Sequence, residues 1–274
     1  MNRAIPIVFP PAPNPRVSVL VVTLGARDHF ERAMRALVAN TPPLYEVIVV
    51  DNGSTPDLLD FLHDGLSGAR VLENGRNVGF GPACNQAAGY ARGESLLFLN
   101  SDAFVHEGWL PPLLQALETH PSVAAVGPLI LNTDGTLQEA GSILYSDGCT
   151  AFRGFGDDPN RPEFLRPLVV DYCSASCLLV RRRAFHDVGG FDPVYAPAYF
   201  EDVDLCLALA ERGWKTLYEP RSVVTHVRGG SSPLEEALAV WGRNHPVFQA
   251  KWSVRLAQQG TRPAIAAPQR TLSG

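Results

Sequence analysis

Three acidic stretches and one histidine carry the residue types that proton-transfer and cation chemistry need. In Leu96 to Asp102 (L-L-F-L-N-S-D), four apolar residues run straight into Asn100, Ser101 and Asp102. Such a run suits a strand buried on both faces of a parallel sheet, and ligands of open α/β sheets gather beyond the carboxyl ends of the strands. A carboxylate at that point is a candidate for a metal ion or a phosphate; the same triplet also reads as a plain turn. Asp51 ends a second apolar run and precedes N-G-S-T. It either holds that turn or accepts a hydrogen bond from a ligand donor such as the imide N–H of a pyrimidine. The third stretch is Tyr199-Phe200-Glu201-Asp202-Val203-Asp204. Acids at a helix start cap free N–H groups and are stabilised by the dipole, while flanking aromatics can lift a carboxyl towards general-base duty. His226 closes V-V-T-H-V and is followed by Arg228 and a Gly-Gly-Ser-Ser run. That pattern suits a phosphate, with backbone N–H groups made accessible by glycine and charge supplied by arginine. Asp102 and His226, completed by diphosphate oxygens, form a mixed O/N set for Mn²⁺ or Mg²⁺, and the imidazole favours Mn²⁺.

The pattern predicts elements that would gather these residues. Strands are expected at Val17 to Thr23, Glu46 to Val50, Val71-Leu72 and Leu96 to Leu99. Helices are expected between them, from Asp28 to Ala39, Pro56 to His63 and Pro82 to Arg92. Alternation of this kind predicts a parallel, doubly wound α/β sheet with Thr23, Asp51 and Asp102 facing one crevice. Beyond Asp102 a helix (109–119) and strand (123–131) are followed by a loop at about 148–167, rich in Gly, Pro, Asp and Arg, which reads as an unstructured lid or binding loop. A strand over 172–180, a helix over 203–212, strands at 215–218 and 223–227, and a C-terminal helical pattern broken near Pro246 complete the chain. The domain division expected is a loose N-terminal arm (1–16), a main domain (17–232) split at residue 102, a helical extension (233–258) and a disordered tail (259–274).

With 274 residues, 46% hydrophobic and 19% charged, the chain has ordinary globular composition and can bury a large core. A formal net charge of −5 argues against nucleic acid as a partner. No apolar run approaches the roughly 20 residues of a membrane span, and prolines near the start spoil a signal-peptide core, so the expectation is a cytoplasmic protein. The five cysteines lack a framework spacing and read as reduced, buried thiols.

Seven motifs in series carry a resemblance. They are V-S-V-L-V-V-T (17–23), V-V-D-N-G-S-T (49–55), R-N-V-G-F-G-P-A-C-N-Q-A (76–87), L-L-F-L-N-S-D (96–102), C-L-L-V-R-R-R-A-F-H-D-V-G-G-F-D (177–192), Y-F-E-D-V-D-L-C-L-A-L-A-E-R-G-W (199–214) and V-V-T-H-V-R-G-G-S (223–231). Together they resemble the family-2 glycosyltransferases of GT-A fold, particularly bacterial rhamnosyltransferases and O-antigen enzymes of the cell envelope. The resemblance implies a Rossmann-like, mostly parallel central sheet flanked by helices, with a C-terminal helical extension. It implies inverting transfer from a UDP- or dTDP-sugar, dTDP-rhamnose among them, to a glycan or lipid-linked glycan, with a divalent cation and peripheral membrane contact at the inner face. Thr23 and Asp51 would contact the base. Asn77, Gly79 and Phe80 would hold or shape the nucleotide loop, with Arg228 near the phosphates. Asn100-Ser101-Asp102 occupies the family's D-x-D position, Asp102 and His226 would bind the metal, Asp202 would be the general base and Glu201 its acidic neighbour at the acceptor site. Asn100 leaves the metal one carboxylate short, and Leu24-Gly25 replace the usual aromatic and Asn after the first strand.

Two other functions fit parts of the pattern. A sugar-1-phosphate nucleotidyltransferase needs a basic, glycine-rich loop after the first strand, of which Thr23 to Asp28 is a poor version. A catalytically degenerate module binding nucleotide or glycan would accommodate Asn100 but not the intact Glu201-Asp202 and His226.

Overall fold

The computed structural model describes residues 5–25, 27–227 and 234–263. A central sheet runs in the order Leu168–Val170, Lys215–His226, Val123–Leu131, Cys177–Arg181, Ser95–Asn100, Val17–Thr23, Tyr45–Asp51, Arg70–Glu73, with Ala103–Val105 and Leu137–Glu139 attached at its side. The four strands of the N-terminal half are mutually parallel, as β-branched runs alternating with helices require. Lys215–His226 and Val123–Leu131 are also parallel to one another. Cys177–Arg181 is inserted antiparallel between these two blocks.

Both faces of the sheet are covered, which is why its strands are apolar on both sides. Val17, Val19 and Val21 face one core, with Phe30, Met34 and Leu37 of the Arg27–Asn40 helix and Leu113 and Leu117 of Leu110–Thr119. Leu20 and Val22, half a pleat away, face the other, with Ala83 and Ala87 of Phe80–Tyr90 and Leu205 and Leu209 of Glu201–Glu211. All five cysteines are free and buried.

Four expectations need correction. The N-terminal arm is not loose: Ile7–Val8 pairs in parallel with Leu66–Ser67, and Phe9 is buried edge-on against Tyr45. The 148–167 segment is not an unstructured lid. Thr150–Phe152 pairs with Ser142–Leu144, and Pro162–Phe164 forms a 3₁₀ turn that buries Phe164 against Leu137 and Tyr218. The C-terminal helix, Leu234–Leu256, runs through Pro246 and leaves helical geometry at Trp252, where the indole N–H reaches Asp204 Oδ1 at 2.7 Å. The expected tail begins attached, since the Gly260 carbonyl accepts from Ser146 N and Arg262 lies 3.3 Å from Asp147; 264–274 fall outside the described residues.

Candidate active site

The Ser95–Asn100 strand delivers Asn100, Ser101 and Asp102 to its carboxyl end. Lys215–His226 ends beside them, with His226 registered opposite Ala103. Its Nε2 lies 3.3 Å from Asp102 Oδ1 and 3.2 Å from Asn100 Nδ2. The other ring nitrogen decides the tautomer. Nδ1 is 2.7 Å from Gln138 Oε1, and the Gln138 amide nitrogen is committed to His226 O and Asn132 Oδ1. The Gln138 oxygen therefore faces the ring, Nδ1 carries the proton, and Nε2 presents a lone pair.

Asp102 Oδ1 is buried and no donor reaches it. A bare carboxylate oxygen and an imidazole lone pair thus face each other in a site largely closed to water, which is an arrangement a cation satisfies. One hard oxygen and one borderline nitrogen fit a divalent first-row ion. Among the described residues no group of three His, Cys, Asp or Glu side chains converges on such a point. The remaining donors would come from a ligand or water, with the Asn100 and Ser101 oxygens at hand.

Asp202 is joined to this pair through the 173–176 loop. Asn100 N donates to Ser176 O at 2.9 Å, and Ala175 N donates to Asp202 Oδ2 at 3.3 Å. Asp202 is the second residue of Glu201–Glu211, half-buried, and its Oδ1 accepts from Val203 N at 2.8 Å. Burial pushes its carboxyl above the usual aspartate range, and the amides of Val203 and Ala175 pull it part of the way back. Glu201 Cβ lies beside Gly81 of the Phe80–Tyr90 helix. Its Oε2 is buried without a partner, and burial followed by the charge of Asp202 holds its carboxyl well above the usual range. Glu201 is thus a buried acidic neighbour of Asp202.

On the neighbouring strands Thr23 and Asp51 are register partners, and both are buried. Asp51 Oδ2 accepts from Gly53 N at 3.0 Å and Oδ1 from Ser54 N at 3.1 Å. The turn-holding role is therefore realised, and each oxygen retains lone-pair capacity for a ligand. Gly53 is required: its φ is +91° and a Cβ would lie 2.8 Å from Arg76 Cα. Asn77 Oδ1 accepts from Gly79 N at 2.9 Å and from Asn52 Nδ2 at 3.3 Å. Asn74 Nδ2 donates in turn to Asn52 Oδ1 at 2.9 Å. Gly79 has φ +96° and abuts Ala196, while the Phe80 ring packs near Phe191. Arg228 lies outside the described residues.

The model of Glycosyl transferase family 2 matches residues 18–189. The chain belongs to this family.

The N-acetylglucosaminyl-diphospho-decaprenol L-rhamnosyltransferase of Mycobacterium tuberculosis is 33% identical over 256 residues, covering 85% of this chain and 83% of that protein. Rhamnosyltransferase WbbL of Escherichia coli is 27% identical, covering 77% and 83% respectively. Among solved structures, GalNAc-T7 with UDP, GalNAc and Mn²⁺ superposes with a TM-score of 0.69 at 20% identity, covering 89% of this chain and 49% of that one. A mannosyltransferase from Pyrobaculum calidifontis with GDP-Man and Mn²⁺ gives 0.61 at 19% identity, covering 91% and 66%. The fold of this family-2 glycosyltransferase is of GT-A type.

Several residues of the candidate site carry no signal in the sequence. Gln138 orients His226 from 88 positions away, and nothing near it in sequence marks it. Glu139, the next residue, accepts from Ser142 Oγ at 2.8 Å and Ser174 N at 3.0 Å, and burial pushes its carboxyl up to about 7. Asn52 and Asn74 read as turn residues, and only the fold shows them joined to Asn77.

Proposed function

We propose that this chain is an inverting glycosyltransferase that moves a sugar from a pyrimidine nucleoside-diphosphate donor, dTDP-rhamnose or a UDP-sugar, to a hydroxyl of a glycan or lipid-linked glycan. The observation that carries this reading is the orphaned Asp102 Oδ1 facing the His226 lone pair, at the strand end that also leads to Asp202. The rhamnosyltransferase relatives support the donor class and the lipid-linked acceptor. Among the described residues no helix is long and apolar enough to cross a membrane, so contact with such an acceptor at the inner membrane face would be peripheral.

Asp102 and His226 would hold Mn²⁺ or Mg²⁺, which when bound neutralises charge developing on the leaving diphosphate. Asp51 and Thr23 receive the base, and the Asn52–Asn77–Gly79 network shapes the loop beside it. Asn100 Nδ2, 3.2 Å from Nε2, would give up that lone pair to the ion on binding, and Gln138 would keep the imidazole in place. Asp202 takes the proton from the acceptor hydroxyl as that oxygen bonds to the anomeric carbon and the bond to the diphosphate breaks. A single displacement through an oxocarbenium-like transition state inverts the anomeric centre.

The test is a panel of UDP-, dTDP- and GDP-sugars scored for Mn²⁺-dependent release of nucleoside diphosphate with and without a lipid-linked glycan acceptor. Release from a pyrimidine donor, lost on chelation, is expected. Metal-independent turnover, or none with any donor, would overturn the reading.

A further inference from the structure

The helix that carries Asp202 begins from a backbone that side-chain-bearing residues rarely adopt. Tyr199 and Phe200 have φ of +71° and +77°, two consecutive left-handed residues, neither of them glycine. Something outside this turn must hold it, and the C-terminal helix supplies a specific group. Asn244, in the Leu234–Leu256 helix, is 1% exposed although most of that helix faces solvent. Its amide nitrogen sits within hydrogen-bond distance of three carbonyls around the turn, sharing its two hydrogens among Tyr195 O at 2.7 Å, Ala198 O at 2.8 Å and Tyr199 O at 3.1 Å. Arg243 Nε donates to Asn244 Oδ1 at 3.0 Å, which fixes which end of the amide faces the turn, and its guanidinium also reaches Ala196 O. The same helix stacks on the Phe200 ring, with Phe248 and Trp241 centroids at 5.0 and 5.6 Å.

We infer that Asn244 is a positioning residue for the proton-accepting step, holding the left-handed Tyr199–Phe200 pair so that the Glu201–Glu211 helix starts where Asp202 meets the acceptor. This rests on the reading of Asp202 as the base. A buried amide is suited to the task because it satisfies several inward-facing carbonyls at once, which no apolar side chain can do. Of the donor-side residues named above, Gly79 and Phe80 touch this turn, at Ala196 and Pro197, whereas Thr23 and Asp51 lie on other strands, so kcat and donor KM are read separately. The matched family region ends at residue 189, before both the turn and the helix that holds it.

The experiment compares Asn244→Ala and the isosteric Asn244→Asp, which keeps the volume and loses the amide donors, with the unaltered chain. The expected result is a kcat lower by about tenfold or more, because small misplacement of a reacting group is costly, with the donor KM within about twofold. The acidic limb of the kcat–pH profile should move upward as Asp202 loses its Ala175 N hydrogen bond. Tyr199→Gly, added to Asn244→Ala, should restore part of the kcat, since glycine takes a positive φ freely. Hydrogen exchange across 199–204, which needs no turnover, should quicken in both single variants. Unchanged exchange there would overturn the inference even if no donor is ever turned over, a result that would separately sink the glycosyltransferase reading. A kcat loss matched by loss of folded protein, with an unmoved pH limb and no recovery from Tyr199→Gly, would also overturn it.

Discussion

Asp102 Oδ1 stands 3.3 Å from His226 Nε2 and no donor reaches that carboxylate oxygen, while Gln138 pins the far nitrogen of the same ring. The relationship is electrostatically incomplete, because two electron-rich atoms are held together by their surroundings. Gln138→Ala frees the ring to rotate or change tautomer. Loss of such an outer partner typically costs 10–100-fold in metal affinity or activity, so the Mn²⁺ concentration for half-maximal transfer should rise by about that factor. A metal titration of initial rate checks it, and an unchanged midpoint would remove Gln138 from the site.

Asn100→Asp restores a second carboxylate to the triplet. With a divalent ion in place it should lower the half-saturating Mn²⁺ concentration by several-fold, and without metal it should destabilise the fold by crowding like charges against Asp102. Thermal melts with and without Mn²⁺ read both signs. A variant equally stable in the two conditions would show that the triplet does not meet the ion.

Asp202→Asn keeps the shape of the side chain and removes the proton acceptor. General-base catalysis is worth about 10²–10⁴-fold, and transfer should fall by that much while nucleoside-diphosphate binding, read by calorimetry, is retained. In the unaltered chain the rate should rise with pH along a limb above the ordinary aspartate range, because burial raises the Asp202 carboxyl and only its ionised form accepts a proton. Wild-type-like turnover by D202N would sink the assignment.

Glu139 gives a stability prediction of the opposite pH sense to an ordinary carboxylate. Its folded value of about 7 lies above its ordinary 4.5, so between these values the folded state holds a proton that the unfolded chain has released. The contribution is whole below about 4.5 and is lost as pH rises through about 7, a swing on the order of 3 kcal/mol for a fully buried group. Glu139→Gln keeps an oxygen for Ser142 and Ser174 and should flatten that loss. Denaturant midpoints at pH 5 and pH 8 decide it, and parallel losses in both proteins would refute it.

Local chemistry is what the sequence records well. Apolar runs followed by Thr23, Asp51 and Asp102 place these residues at neighbouring strand ends because burial on both faces leaves a chain no other use for such runs. The helix starting at Glu201 is visible in its acids, and His226 in its strand. Long-range partners are invisible for an equally physical reason. Gln138 and Asn244 are single polar residues in otherwise unremarkable segments, and their value lies in atoms 88 and some 45 positions distant. Ile7–Val8 leaves no mark in the sequence because a two-residue strand has no period to detect. The 148–167 segment was misread because its order comes from burying one ring, Phe164.

The reversed strand, Cys177–Arg181, has a consequence for what the crevice can bind. Strands that leave a sheet in parallel point their terminal carbonyls towards the rim, so a rim built from them alone is rich in acceptors. This one enters where its neighbours exit, and its lead-in turns amide hydrogens to the same place: Ser174 N to Glu139 and Ala175 N to Asp202. One inverted segment thus gives the rim a local supply of donors, and two carboxyl groups that would otherwise repel can be lodged side by side.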